Sequence, residues 1–239
     1  MRALFHRTAS VWKREEGSSL LLALLVGTLF VAPFLRDWFP VLAPASSAFL
    51  VLLFIVGVLV VSRSVWVALP GCLLAGSAIA LELVHQITGV DSLAPWRVGA
   101  ACLTTGLFTV VTLFRVFAPG PVTSHRLVGA VVAYLLLGLT WAYAHSWLEV
   151  MRPGSFHVGP GPTEGAYPAL LYYSFVTLTT VGYGDVTPVS PAARALSNVE
   201  SLLGILYPAV LIGRLLSMQV GGGPTSGRPS ETTPPSSSQ

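Results

Sequence analysis

The sequence predicts an all-α membrane protein: six transmembrane helices, with a short re-entrant helix and an extended loop between the fifth and the sixth. Three observations predict it. The 239 residues are 53% hydrophobic and only 10% charged, with mean hydropathy +0.73, whereas a soluble domain carries about 25% charged residues. Apolar stretches close to the ~20 residues needed to cross a bilayer recur along the chain, bounded by Pro, Gly or charge. Between the last two lies a shorter apolar segment that runs into a Thr/Gly-rich hexapeptide.

Residues 1–18 are polar and basic and read as a cytoplasmic segment. Glu15 and Glu16 interrupt the basic run and no small-residue cleavage site follows, which argues against a cleavable signal. The first span is expected at 19–35, ended by Arg36, Asp37, Pro40 and Pro44, and the second at 45–61. A tight turn through Arg63 leads to the third, at 65–87. Gly89, Asp91 and Pro95 break the chain before the fourth, at 98–117. Together these form a four-helix domain over residues 19–121, closed by the hinge Pro119-Gly120-Pro121. A second domain covers 122–220, with spans at 124–150 and 191–220 and a Pro/Gly-rich loop at 154–165 after the first of them. Tyr172 to Thr179 reads as the short helix, with Pro168 suited to its first turn, where a missing N–H costs nothing. Residues 221–239 are rich in Gly, Pro, Ser and Thr and read as disordered.

Positive charge sets the orientation. With six spans, Arg2, Arg7, Lys13, Arg14, Arg63, Arg115, Arg126, Arg214 and Arg228 fall on one side. Arg36, Arg97, Arg152 and Arg194 fall on the other. Both termini are therefore expected in the cytoplasm and the hexapeptide on the outer side. The net charge of +3 gives no reason to expect a nucleic-acid partner. Cys72 and Cys102 lie inside apolar spans and read as small buried residues rather than a disulfide or metal site.

The hexapeptide is Thr180-Val181-Gly182-Tyr183-Gly184-Asp185. A Gly-Tyr-Gly-Asp string can be an ordinary turn, because Gly and Asp are common turn formers. The setting points elsewhere. A backbone strand aims successive carbonyls to one side when its dihedrals alternate between ordinary and left-handed regions, and glycine enters the left-handed region without steric cost. Gly182 and Gly184 stand where that alternation requires them. Main-chain oxygens so aimed replace the water around a dehydrated K⁺, with Thr180 adding its hydroxyl at the inner end. The preceding helix turns its negative end toward the same place and favours a cation there. Val181 and Tyr183 would point away from the ion path.

At these residues the chain resembles the pore domain of tetrameric potassium channels, especially bacterial six-span members of the voltage-gated-like superfamily. The resemblance implies a homotetramer of this chain and three identical partners in membrane lipid, in a bacterial inner membrane. It implies a filter in which Thr180, Val181, Gly182, Tyr183 and Gly184 bind ions, with K⁺ held at Thr180 to Tyr183. K⁺ is the permeant ion and no cofactor is implied. Asp185, Tyr172 and Thr179 are expected to support the filter, Tyr172 by a hydrogen bond to Asp185. Relatives often carry a glutamate behind the filter where this chain has Val176. Arg194 matches an arginine at the outer end of the inner helix. Gly204 falls at the hinge position of relatives, and Pro208 breaks a backbone bond, so both are gating candidates, with close packing at Gly204 the competing reading. Glu200, a carboxylate inside a span, is the third candidate. It either faces a water-filled cavity or bonds Asn198, Ser197, Ser201 or a hydroxyl of the short helix, such as Thr177.

Four spans before such a unit resemble a voltage sensor in layout only. A sensor helix needs several arginines in series. Here Arg97 and Arg115 are separated by eighteen residues, or about 27 Å of helix, and mark opposite interfaces. Little or no voltage dependence is expected. Glu82 and His85 share a face of the third helix and read as a polar pair near the outer interface rather than a metal site. The alternatives are a nonselective cation channel, against which Tyr183 and Gly184 argue, and a subunit of a potassium uptake transporter, which would carry several filter loops where this chain has one. No nucleotide loop, zinc signature or nucleophile constellation points to an enzyme.

Overall fold

The computed structural model describes residues 18–31, 38, 51–58, 65–118, 123–159 and 166–220. The expected hinge at 119–121, the tail at 221–239 and most of the N-terminal segment lie outside them. The helices are α1 (Ser18–Val31), α2 (51–58), α3 (Val65–Thr88), α4 (Ala94–Val116), α5 (Ser124–Met151), α6 (Ala166–Leu178) and α7 (Pro191–Val220). Two strands, β1 (Phe156–Val158) and β2 (Val186–Pro188), complete the described chain.

Four helices among the described residues are long and apolar enough to cross a membrane, over Leu69–Thr88, Asp91–Val116, Arg126–Met151 and Pro191–Arg214. They match the last four of the six expected spans. Where the first two spans are expected, the described residues hold a shorter apolar helix, α1, and the eight-residue α2, and the rest of each stretch lies outside the described residues.

Local chemistry accounts for the helix ends. Gly89 takes a φ of 65° and donates its N–H to His85 O at 2.8 Å, the left-handed cap that closes α3. A single 3₁₀ turn, Asp91–Leu93, and Pro95 in the first turn of α4 then reverse the chain. Across this reversal Arg97 bonds Glu82 at 3.0 Å, while His85 faces Asp91 at 3.6 Å. Glu82 and His85 thus turn to different partners, as a polar interface pair would.

The main core gathers Leu21, Leu25, Leu53, Phe108, Leu136 and Leu139, each almost fully buried, from α1, α2, α4 and α5. Between α4 and α5 the interface is polar in composition but closed in hydrogen bonding. Thr105, Thr109 and Thr112 each donate to the carbonyl four residues earlier, and Thr109 also meets Thr140 at 3.0 Å. A bilayer offers no water to such groups, so they must be satisfied inside the protein. Small and hydroxylated residues also let the helix backbones approach.

Helix α5 is the hub. It packs along α4 on one side and along α6 on the other, and reaches α7 as well. At the α5–α6 contact, a Cβ on Gly138 would lie 2.7 Å from the ring of Phe175. Gly138→Ala is therefore expected to force the ring aside and cost about 1–3 kcal/mol. Thermal unfolding in detergent checks this, and an unchanged melting temperature would refute it.

Candidate functional site

The hexapeptide leaves the C-terminal end of α6. Here the chain stops being helical because its amides turn back. Thr180 N–H donates to Thr177 O at 3.0 Å, Val181 N–H to Val176 O at 2.9 Å, and Gly182 N–H to the same oxygen at 3.3 Å. There are no cis peptides among these residues. In a planar trans peptide the C=O points opposite to the N–H that follows it. Three successive N–H groups aimed at α6 therefore aim the carbonyls of Thr179, Thr180 and Val181 away from it. That side is open: residues 179–185 are all exposed in the single chain.

The dihedrals show how the chain achieves this. Thr180, Gly182 and Gly184 have φ of 62°, 58° and 80°, whereas Val181 and Tyr183 do not take positive φ. A Cβ at Gly182 or Gly184 would meet nothing within 4 Å. Glycine is thus required at these two positions by conformation and not by space. Thr180 is the position the sequence did not single out for a left-handed backbone. A β-branched residue there is a true outlier, at a cost of order 1–3 kcal/mol.

The flanking groups fix both ends. Tyr134 on α5 donates its phenol to Leu178 O at 3.2 Å, capping the last turn of α6. Thr179 Oγ1 donates to Phe175 O at 2.6 Å. At the far end of the hexapeptide the Asp185 side chain accepts from Val186 N at 3.0 Å, and the Tyr172 phenol lies within reach of its charge. Partial desolvation, then the neighbouring Asp185 carboxylate, raise that phenol above its ordinary range. The Tyr172 and Tyr183 rings stack, 6.4 Å apart and inclined by 2°. Tyr183 is thus turned toward α6.

Beyond the hexapeptide, β2 pairs antiparallel with β1, setting His157 opposite Thr187, and Gly159 N–H adds a bond to Asp185 O at 2.9 Å. Glu149, at the end of α5, accepts from the amides of Gly154 and Phe156 at 2.8 and 3.0 Å and so fixes the start of β1. Strand β1 lies inside the segment 154–165, whose composition predicts a Pro/Gly-rich loop. The two strands are three residues each, too short to show a period. Arg194 donates to Pro188 O at 3.2 Å and ties β2 to the start of α7.

Glu200 is fully buried, between His145 on α5 at 2.7 Å and Ser174 on α6. Of the partners the sequence suggests, Asn198, Ser197, Ser201 or a hydroxyl of the short helix such as Thr177, the structure supplies a hydroxyl of that helix, Ser174, and adds His145. His145 was missed altogether. Its only sequence signal is that it too is an ionisable residue inside a span. Gly204 faces the end of α6: a Cβ would overlap Leu178 O and lie 2.9 Å from Leu178 C. Close approach alone therefore demands glycine there. Pro208 lies one helical turn further along α7.

A family model described as "Ion channel" matches residues 129–220. Protein LctB of Bacillus caldotenax is 32% identical over 118 residues, which are 48% of this chain and 87% of that protein. "Two pore potassium channel c" of Oryza sativa subsp. japonica is 38% identical over 86 residues, 36% of this chain and 17% of the rice protein. "A-type voltage-gated potassium channel KCND3" of Rattus norvegicus is 26% identical over 155 residues, 57% of this chain and 23% of the rat protein. The chain thus spans less than a quarter of the length of the rice and rat channels.

The Gly204 geometry has a direct consequence. Gly204→Ala is expected to push α7 off the end of α6 and lower the melting temperature of the assembled protein, at a cost of about 1–3 kcal/mol. A glycine needed only for bending would give altered opening with normal stability, and that result would reject the packing account.

Proposed function

The chain belongs to the potassium-channel family, and on that premise we propose that it forms a potassium-selective pore that conducts K⁺ passively across the membrane. The observation that carries this is the alternation of left-handed φ at Thr180, Gly182 and Gly184 with ordinary φ between them. With the amides held on Val176 and Thr177, it supports a row of outward carbonyls from Thr180 to Tyr183 as the ligands of dehydrated K⁺.

One chain supplies one strand of such a row, and a closed ring needs several. We take the assembly to be a homotetramer with residues 179–185 of four copies around one axis. The large apolar side chains that α7 exposes, among them Leu202, Ile205, Leu206 and Val210, support a further partner or lipid against this helix. Tyr172, Thr179 and Asp185 support the strand from behind. In this reading α6 is a re-entrant pore helix, tolerated at membrane depth because protein encloses it. The filter lies on the outer side, and both termini are cytoplasmic. A bacterial inner membrane is the proposed location, in keeping with the bacterial LctB relatives.

The voltage gating in the rat channel's name is not carried over. Helix α4 has one arginine at each end: Arg97, bound to Glu82, and Arg115 in the last turn. Neither continues into a series. Of the gating candidates, Gly204 and Pro208 remain the place on α7 where bending would act. The burial of Glu200 between α5 and α6 favours a supporting role over a cavity-facing one.

Purified protein in liposomes is expected to pass K⁺ in strong preference to Na⁺, to be blocked by a quaternary ammonium ion, and to lose the preference in Gly182→Ala. Equal flux of the two ions would reject selectivity and favour a nonselective cation pore. In planar bilayers, open probability is expected to vary only weakly with voltage. Activation as steep as that of a multi-arginine sensor would reject the reading of α4.

A further inference from the structure

One buried polar chain lies outside the proposed ion path. It joins α5, α7 and α6 behind the hexapeptide. His145, Glu200 and Ser174 are each 0% exposed. His145 Nε2 lies 2.7 Å from Glu200 Oε2. Ser174 Oγ lies 2.8 Å from Gly138 O and forms a short bond with Glu200 Oε1. His145 Nδ1 has no hydrogen-bond partner among the described residues.

Counting protons decides how this chain is wired. The Ser174 hydroxyl has a single proton and two oxygens in reach. Gly138 O is a carbonyl and only accepts. Given to Oε1, the hydroxyl would leave Ser174 Oγ and Gly138 O lone pair to lone pair at 2.8 Å; given to Gly138 O, it leaves the Oε1 contact to be filled by a carboxyl proton. The contact between Ser174 Oγ and Glu200 Oε1 then needs a proton from the glutamate. An ionised carboxylate only accepts and would set two lone pairs face to face. With the proton on Oε1, Oε2 is the accepting oxygen, and His145 Nε2–H donates to it. Nδ1 is then a bare lone pair. That is the milder orphan, because buried N–H groups without acceptors are the rarer case. An imidazolium–carboxylate pair would put an N–H on the orphaned Nδ1 and leave Ser174 one proton short. It would also place two charges at membrane depth.

Among the described residues, the neighbouring hydroxyls supply no substitute donor. The Tyr173 hydroxyl is given to Ser197 at 2.6 Å, and Ser197 gives its own to Ala193 O at 2.8 Å. The rings of Trp141, Phe156 and Tyr173 enclose the imidazole at 5.9, 5.2 and 5.3 Å.

We propose that Glu200 is a neutral carboxylic acid, the middle link of a one-way hydrogen-bond chain from His145 through Glu200 and Ser174 to Gly138, and that this chain positions the pore helix and the filter. Ser174 is two residues before Val176, whose carbonyl holds the amides of Val181 and Gly182. Any rotation of α6 that breaks the Ser174 bonds moves that carbonyl. The filter half of the proposal rests on the potassium-channel reading; the protonation half does not.

The full chain in liposomes tests both. Glu200→Gln keeps every link, since the amide donates to Ser174 and its oxygen accepts from His145. It is expected to assemble and to hold the K⁺/Na⁺ flux ratio within about twofold of the unmodified protein. Ser174→Ala removes the link to α6 and is expected to lower that ratio at least about tenfold. It is also expected to remove the extra thermal stability that K⁺ gives over Na⁺; a purely structural loss would lower the melting temperature equally in both ions. Infrared spectra are expected to show the carbonyl stretch of a protonated carboxylic acid, lost in Glu200→Gln. Absence of that band, or a Glu200→Gln variant that fails to assemble or loses selectivity, overturns the neutral chain. Unchanged selectivity in Ser174→Ala overturns the positioning role, and where Ser174→Ala does not assemble, Glu200→Gln and the infrared band decide. Equal K⁺ and Na⁺ flux in the unmodified protein would overturn the channel reading, with the infrared band still judging the protonation.

Discussion

The planar trans peptide is the constraint on which this structure turns. Because each C=O opposes the next N–H, fixing three amides against Val176 and Thr177 fixes three carbonyls on the far side. No side chain has to aim an oxygen outward. What the fold must supply instead is a rigid carbonyl to receive the amides and a backbone able to alternate. The end of α6 gives the first. Left-handed φ at Thr180, Gly182 and Gly184 gives the second. The strain at Thr180 is offset by bonds on both sides of it, from its own amide to Thr177 and from Val181 to Val176.

The elements around the hexapeptide, α5, β1, β2 and α7, serve to hold α6 still. Its last carbonyl is capped by Tyr134 and pressed by Gly204, its middle is bonded through Ser174, and its outer part meets Asp185 through Tyr172. The outer end of the hexapeptide is held separately, by β2 against β1, by Glu149 on the amides before β1, and by Arg194 on Pro188. In water each such bond would contribute roughly 1 kcal/mol. Inside a bilayer their chief value is that the groups cannot be left unmade, so each one also specifies where a helix must lie.

Much of this was legible in the sequence, for identifiable reasons. Helices α3, α4, α5 and α7 follow from apolar length, with charge, Gly or Pro at the ends, and α7 runs from Pro191 to Val220 as expected. Left-handed φ at Gly182 and Gly184 follows from the chemistry of glycine. Three features were not legible. Thr180 is β-branched, and propensity forbids what tertiary bonds impose. The β1–β2 pair joins segments too short to carry a pattern. The His145–Glu200 contact links residues 55 apart in sequence, on helices whose facing sides no local rule reveals. The Gly204 packing contact was foreseeable as an alternative but not decidable, because a hinge and a close approach ask for the same residue.

Aromatic contacts extend the same logic from the base of the hexapeptide toward the other end of the domain. Tyr134, which caps Leu178, stacks on Tyr207 of α7 at 5.6 Å, and the Tyr207 hydroxyl is given to Ala130 O on α5 at 2.7 Å. Phe117, just past α4, meets the Tyr207 ring edge-on at 6.2 Å, and the Arg214 guanidinium sits 5.7 Å over Phe117. Each tyrosine carries an apolar ring and one polar atom, and each polar atom is spent on a backbone carbonyl of a neighbouring helix. The ring then has to lie where that bond allows. The stack therefore ties the position of α7 beyond Gly204 to the cap on α6 and to the end of α4. A displacement of α7 at Tyr207 would have to break the Ala130 bond or carry Tyr134 with it. The base of the hexapeptide and the far half of α7 are in this sense one packed body.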